Sequence, residues 1–184
     1  MTIVEDTLKS LEKTKNDFWN ISPETGDFIE FLIKVSNARN VLELGTSNGY
    51  SALRIALALK TTGGKLTTIE YWEKRRSIAI DNFKKCGVDD IITSKLGSAL
   101  PVIQNELSEE IFDFVFIDAN KAGYIEFFKA VHPLLKTGGI IVADDIISHS
   151  EAVKPFVDEI TSRDDYSSQI LNLPDGILIA RKNK

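Results

Sequence analysis

The stretch "NVLELGTSNGYS" (Asn40–Ser51) decides how the rest of the chain reads. Val41, Leu42 and Leu44 make a short apolar run of the kind that forms a buried strand. Gly45 and Gly49 then flank a loop that opens directly into a helix from about Tyr50 to Lys60. Glycines at such a junction let backbone approach a ligand closely, and the helix start offers N–H groups to an anion. A plain strand-to-helix turn would carry the same glycines. The spacing is E-x-G-x-x-x-G. It is neither the G-x-G-x-x-G of a dinucleotide site nor a phosphate loop, which needs Lys and Ser or Thr after its second glycine.

Outward from this junction, strands and helices alternate. "KLTTIE" reads as the next strand and a helix from about Glu73 to Cys86 follows, with Ala79, Phe83 and Cys86 on one face. "DIITSKL" is a strand, a helix begins near Ala99, and "FDFVFID" is a strand. Tyr124, Phe127, Phe128, Val131 and Leu135 point inward from the next helix, "KTGG" turns into the strand "IIVAD", and Val153, Phe156, Val157 and Ile160 mark the last helix. The tail "SSQILNLPDGILIAR" reads as two strands about a Pro-Asp-Gly turn, an antiparallel hairpin. Two helices precede the first strand. The second has Ser22 as N-cap, Pro23 in its first turn, and Phe28, Phe31, Leu32 and Val35 as its apolar stripe. Non-alternating apolar strands separated by amphipathic helices imply a mostly parallel, doubly wound α/β sheet covered on both faces. Ligands in such a sheet sit beyond the carboxyl ends of the strands. One of those ends carries Glu70, 25 positions after Gly45 and placed to take both hydroxyls of a ribose.

The 184 residues fit a single domain, with residues 1–38 as N-terminal helices and 39–184 as a Rossmann-like core. No apolar run approaches the roughly 20 residues that span a bilayer. The first residues mix acids with apolar side chains, unlike a signal peptide. Cys86 is the only cysteine, which fits a reducing cytoplasm. A net charge of −5 disfavours nucleic acid as the partner, since phosphate binding calls for a basic face. The clusters Lys74, Arg75, Arg76 and Lys84, Lys85 read as solvated helix faces.

The segments "VLELGTSNGYSALRIALAL", "LTTIEYWEKRRSIAIDNFKKCGV", "FDFVFIDANKAGY", "LLKTGGIIVADDI" and "LNLPDGILIA" together resemble the consecutive signatures of S-adenosylmethionine-dependent O-methyltransferases of the catechol and caffeoyl-CoA type. The resemblance covers about Ile21 to Arg181 and implies a seven-stranded sheet closed by a C-terminal hairpin. It also implies a cofactor site. Glu43, Gly45, Thr46, Ser47 and Gly49 would hold the methionine portion of S-adenosyl-L-methionine, and Ser51 would meet its carboxylate. Glu70 would bind the ribose, Tyr71 would lie against the adenine, and Gly97, Ser98 and Ala99 would border it. Asp118 would face both cofactor and metal. In the family a divalent cation is held by matching acids, here Asp118, Asp144 and Asp145, with Mg²⁺ expected and Ca²⁺ or Mn²⁺ as alternatives. Lys121 matches the general base, with a pKa lowered by the cation and sulfonium nearby. The implied substrate is a small vicinal-hydroxyl molecule, and relatives are commonly homodimers.

The chain departs from the family where its fifth-strand pair is Asp-Asp in place of Asp-Asn. A third carboxylate would tighten a hard-cation site, or Asp145 would cap the next helix. Asn120 stands where many relatives carry an acid. His132 reads as structural, and His149 as either a surface residue or an extra base or ligand. Trp19 and Trp72 read as packing residues. Other readings are a metal-independent O- or N-methyltransferase, a tRNA hydroxyl methyltransferase, and a non-catalytic cofactor-binding protein.

Overall fold

The innermost apolar runs, at Asn40–Leu44 and Phe112–Ile117, are buried on both faces, and all the runs pair as strands of one sheet. In the computed structural model, which describes residues 2–184, they are β1 (Asn40–Leu44), β2 (Lys65–Glu70), β3 (Ile92–Leu96), β4 (Phe112–Ile117) and β5 (Leu135–Ala143), followed by β6 (Tyr166–Leu171) and β7 (Ile177–Lys182). Their order across the sheet is β3-β2-β1-β4-β5-β7-β6. The first five pair in parallel, and β7 runs antiparallel to both β5 and β6. The chain winds outward from β1 to β3 and then returns to place β4 on the other side of β1. That reversal opens a crevice at the carboxyl ends of β1 and β4.

The pleat sends alternate residues of one strand to opposite faces. On β4, Phe114 and Phe116 join the core beneath α3 (Pro23–Ser36), α4 (Tyr50–Thr62) and α5 (Glu73–Cys86). Val115 and Ile117 join the core beneath α6 (Ala99–Glu106), α7 (Tyr124–Val131) and α8 (Ser150–Ser162). The doubly wound architecture with a closing antiparallel hairpin is therefore as expected. No helix among the described residues is long and apolar enough to cross a membrane.

Three local expectations need correction. On α3, Ser22 caps as expected, its hydroxyl accepting from the Thr25 N–H at 3.1 Å. The buried stripe, however, is Ile29, Leu32 and Ile33, while Phe31 and Val35 are 59% and 65% exposed. Ile29 and Ile33 share the face of Gly26, where absence of a side chain admits the Arg54 side chain from α4. A second difference lies before α3. Between α1 (Ile3–Glu12) and α3 the chain makes an extra one-turn helix, α2 (Lys15–Phe18), ended by Trp19 in the left-handed region at φ 57°. Finally, "KTGG" is not a turn into β5 but part of it. The pairing jumps from Phe112↔Leu135 to Phe114↔Ile140, a bulge accommodated by Gly138 at φ 83°.

Candidate functional site

The ladder hydrogen bonds run past the strand ends and bring three junctions together. Gly45 N–H donates to Ile69 O at 3.0 Å, Asp118 N–H to Leu44 O at 2.9 Å and Asp144 N–H to Ile117 O at 3.0 Å. Gly45 sits at φ 101°, and a Cβ there would lie 2.0 Å from the carbonyl oxygen of Asp118. Only glycine permits this approach of the β1 and β4 ends. The loop then passes Ser47 and Gly49, both at positive φ, and enters α4.

A cavity of about 900 Å³ opens over these ends. Gly45, Thr46, Ser47, Ser51, Glu70, Tyr71, Gly97, Ser98, Ala99, Asp118, Lys121, Asp144 and Asp145 all line it. Two residues matched by the resemblance do not. Gly49 packs against Phe83 and Ala79. Glu43 is fully buried behind the wall, accepting from the Ser51 hydroxyl at 2.6 Å and the Thr68 hydroxyl at 2.5 Å. Burial pushes its carboxyl up to about 7, against the two hydroxyl hydrogen bonds that pull it down. Glu70, in contrast, is held by backbone. One of its oxygens accepts from Ser47 N–H at 2.7 Å and the other from Trp72 N–H at 2.9 Å. The carboxylate thereby ties the β1 loop to the end of β2.

At the β4 and β5 ends, Asp118, Asp144 and Asp145 each present an oxygen within 4.8 Å of the others. Lys121 lies between two of them. Its Nζ donates to Asp118 Oδ1 at 2.6 Å, pairs with Asp145 Oδ2 at 2.6 Å, and donates to the Tyr124 hydroxyl at 3.1 Å. Asp144 is 4% exposed, and its Oδ1 is buried with no hydrogen-bond partner among the described residues. Burial and the neighbouring Asp118 and Asp145 charges push the Asp144 carboxyl up to about 8. Asp118 is also raised, by burial first, against the pull of Lys121. For Asp145, burial alone would raise the carboxyl, but the Lys121 hydrogen bond and charge hold it below the usual range. Lys121 is raised: its partial burial lowers it, and the Asp118 carboxylate beside it more than offsets that. This is the reverse of the lowered lysine expected from a cation and a sulfonium, because the neighbours the chain itself supplies are carboxylates.

Asp145 does not cap α8. The N-cap there is His149, without a side-chain cap, and Asp145 accepts instead from the Ser148 hydroxyl at 2.8 Å. Asp145 takes the left-handed conformation, φ 63°, which Asp and Asn adopt more readily than other side chains. Asn120 turns back to accept from Ala122 N–H at 3.3 Å. His149 lines the cavity, its Nδ1 3.6 Å from Asp145 Oδ1. His132 lies elsewhere, its Nδ1 3.0 Å from the Tyr166 hydroxyl and its ring against Phe128, as a structural histidine should.

Trp19 and Trp72 are not packing residues of the core. They are 71% and 54% exposed and stand at the cavity wall with Lys15, Phe18, Arg75 and Asp175. Sequence reasoning missed this group, because its members come from α2, α5 and the β6–β7 turn and share no local pattern. The adjacent aromatics Phe18-Trp19 and Tyr71-Trp72 were the available signal.

The family model described as O-methyltransferase matches residues 2–172. The chain is 34% identical over 158 residues to a caffeoyl-CoA O-methyltransferase of Medicago sativa, covering 82% of this chain and 64% of the relative. It is 36% identical over 130 residues to a catechol O-methyltransferase of Niastella koreensis, covering 70% of this chain and 58% of the relative. The chain thus spans about three fifths of the length of these curated relatives. Among solved structures it is similar to an O-methyltransferase from Bacillus cereus in complex with SAH, with a TM-score of 0.86 at 28% identity, covering 98% of this chain and 90% of that one.

Proposed function

The chain belongs to the O-methyltransferase family, and from that premise we propose that it transfers the methyl group of S-adenosyl-L-methionine to one oxygen of a vicinal diol on a small, catechol-like molecule, with a divalent cation. The observation that carries the reading is the orphaned Asp144 Oδ1, set among three carboxylates on the same cavity as the glycine loop and Glu70. An anionic oxygen buried without a partner is costly, and a hard cation relieves that cost.

In this reading Gly45, Thr46, Ser47 and Ser51 hold the methionine portion of the cofactor. Glu70, already aligned by two backbone N–H groups, accepts from the ribose hydroxyls. Tyr71, Gly97, Ser98 and Ala99 border the adenine. Glu43 acts from behind the wall by fixing the Ser51 hydroxyl. Asp118, Asp144 and Asp145 are all oxygen donors, the set that suits Mg²⁺, with Ca²⁺ and Mn²⁺ also able to bind oxygen. When bound, the cation lowers the pKa of the acceptor hydroxyl and orients the diol. Lys121, an ammonium while Asp118 and Asp145 face it, would release that proton to solvent when those carboxylates are engaged elsewhere, and its neutral Nζ would then take the hydroxyl proton.

The test is methyl transfer from labelled cofactor to catechol, with a chelator and then with Mg²⁺ restored. Transfer abolished by the chelator and recovered with Mg²⁺ is the expected result. Transfer that ignores the chelator removes the cation from the reaction. Cofactor binding without transfer to any diol reduces the chain to a binding protein.

A further inference from the structure

The cavity wall carries a guanidinium with no carboxylate. Among the described residues, the basic side chains lining the cavity are Lys15, Arg75, Lys121 and His149. Lys15 pairs with Asp175 at 3.3 Å, Lys121 lies between Asp118 and Asp145, and His149 sits against Asp145. Arg75 alone among them faces no acid. Its carbon Cζ lies 4.4 Å from the centroid of the Trp19 ring, 5.1 Å from that of Trp72 and 5.7 Å from that of Phe18. Its one hydrogen bond is a long contact, 3.5 Å, to the backbone oxygen of Asp17. Glu70, the acid at the end of β2 on the same cavity wall, is already satisfied by backbone N–H groups, and Glu73, two positions before Arg75, makes no ion pair with it among the described residues.

Aromatic faces orient a guanidinium without using up its fork of N–H donors, and that fork matches a carboxylate or phosphate. The surrounding rings reduce its hydration, which strengthens any charge-assisted contact it makes. The holder is also unusual. Trp19 is a bulky residue kept at φ 57°, a conformation that costs energy and that persists only where surrounding contacts fix it. The cavity therefore has an acidic part, at Asp118, Asp144 and Asp145, and a separate cationic and aromatic part at Arg75.

We propose that Arg75, clamped between Trp19 and Trp72, is a specificity-determining residue that binds an anionic group, a carboxylate or phosphate, carried by the methyl acceptor. The acceptor class narrows from any catechol to an aryl diol with an anionic tail. The proposal rests on the methyltransferase reading for the diol, but not for the anion contact.

The experiment separates the two. Trp19 and Trp72 are the only tryptophans in the chain, so intrinsic fluorescence reports this part of the cavity directly. Benzoate, 3,4-dihydroxybenzoate, 3,4-dihydroxycinnamate, phenyl phosphate and catechol are titrated into the full chain and into Arg75→Met and Arg75→Lys. The expected result is tighter binding of at least one anionic probe than of catechol. That preference falls about tenfold in Arg75→Met and by less in Arg75→Lys, which keeps the charge but loses the fork of donors and the plane held by the rings. In methyl transfer, the KM ratio of catechol to the anionic diols falls by the same factor, with little change in kcat. An anion preference equal in all three proteins overturns the proposal. A loss of S-adenosylmethionine affinity with the acceptor preference intact also overturns it, by assigning the guanidinium to the cofactor. Anion binding lost in Arg75→Met, in a chain that methylates no diol, keeps the anion site and sinks the methyltransferase reading instead.

Discussion

Replacing Glu43 by Gln should flatten the pH dependence of stability. Glu43 is fully buried and its carboxyl rises from an ordinary value of 4.5 to about 7. Between those values the unfolded chain has lost the proton while the folded chain keeps it. The folded state then binds more protons, so stability falls as pH rises through this window and levels off above about 7. At 1.36 kcal/mol per tenfold change in proton affinity, the loss amounts to about 3 kcal/mol. No discount for solvent screening applies, because the side chain has no exposed surface. Gln keeps one acceptor for the Ser51 hydroxyl. Its amide can donate to Thr68, whose hydroxyl already shares a short contact with that of Thr46. The assay is urea unfolding at pH 5 and pH 8, with a chelator and without cofactor. Asp144 and the other titrating groups act in both proteins, so the difference between the two pH profiles isolates Glu43. The wild type should lose about 2.5 kcal/mol more than Glu43→Gln between pH 5 and pH 8, since the part of the window below pH 5 lies outside the comparison. Parallel profiles would refute the account of a carboxyl kept protonated by burial.

Three further outcomes are expected. Gly45→Ala places a Cβ against the Asp118 carbonyl at a φ that only glycine takes freely, so urea unfolding should show a loss of more than about 2 kcal/mol; a near-neutral effect would mean that the β1 and β4 ends are not this close. Lys121→Ala should lower kcat by about 10² to 10⁴ with calorimetric cofactor affinity little changed, and unchanged turnover dismisses it as the base. Asp144→Asn removes a buried acid whose Oδ1 has no hydrogen-bond partner among the described residues, so in chelator at pH 9 the variant should melt above the wild type, while the Mg²⁺-induced rise in melting temperature is lost; a persisting Mg²⁺ shift excludes Asp144 as a ligand.

Much of this was legible because it is written locally. The buried runs "NVLEL" and "FDFVFI" have only one way to satisfy their backbone and their apolar side chains at once, as inner strands. Gly45 signals its junction because glycine has few other uses there. The stripe of α3 was misread because Phe31 and Val35 fit a helical period as well as Ile29 and Ile33 do. Only the packing against α4 chooses between them. "KTGG" misled because glycines mark bulges as readily as turns.

The sequence by itself determined the order of strands and helices, the doubly wound class and the acids at the strand ends. These follow from periodicity and glycine placement, which act over a few residues. The tertiary structure alone decided which charges meet. It set Lys121 between Asp118 and Asp145, left Asp144 Oδ1 without a partner among the described residues, moved Glu43 behind the wall, and brought Trp19 from the end of α2 to Trp72 and Arg75 at the start of α5. A side chain's charge state and contacts depend on neighbours that are distant in the chain and near only after the sheet has folded.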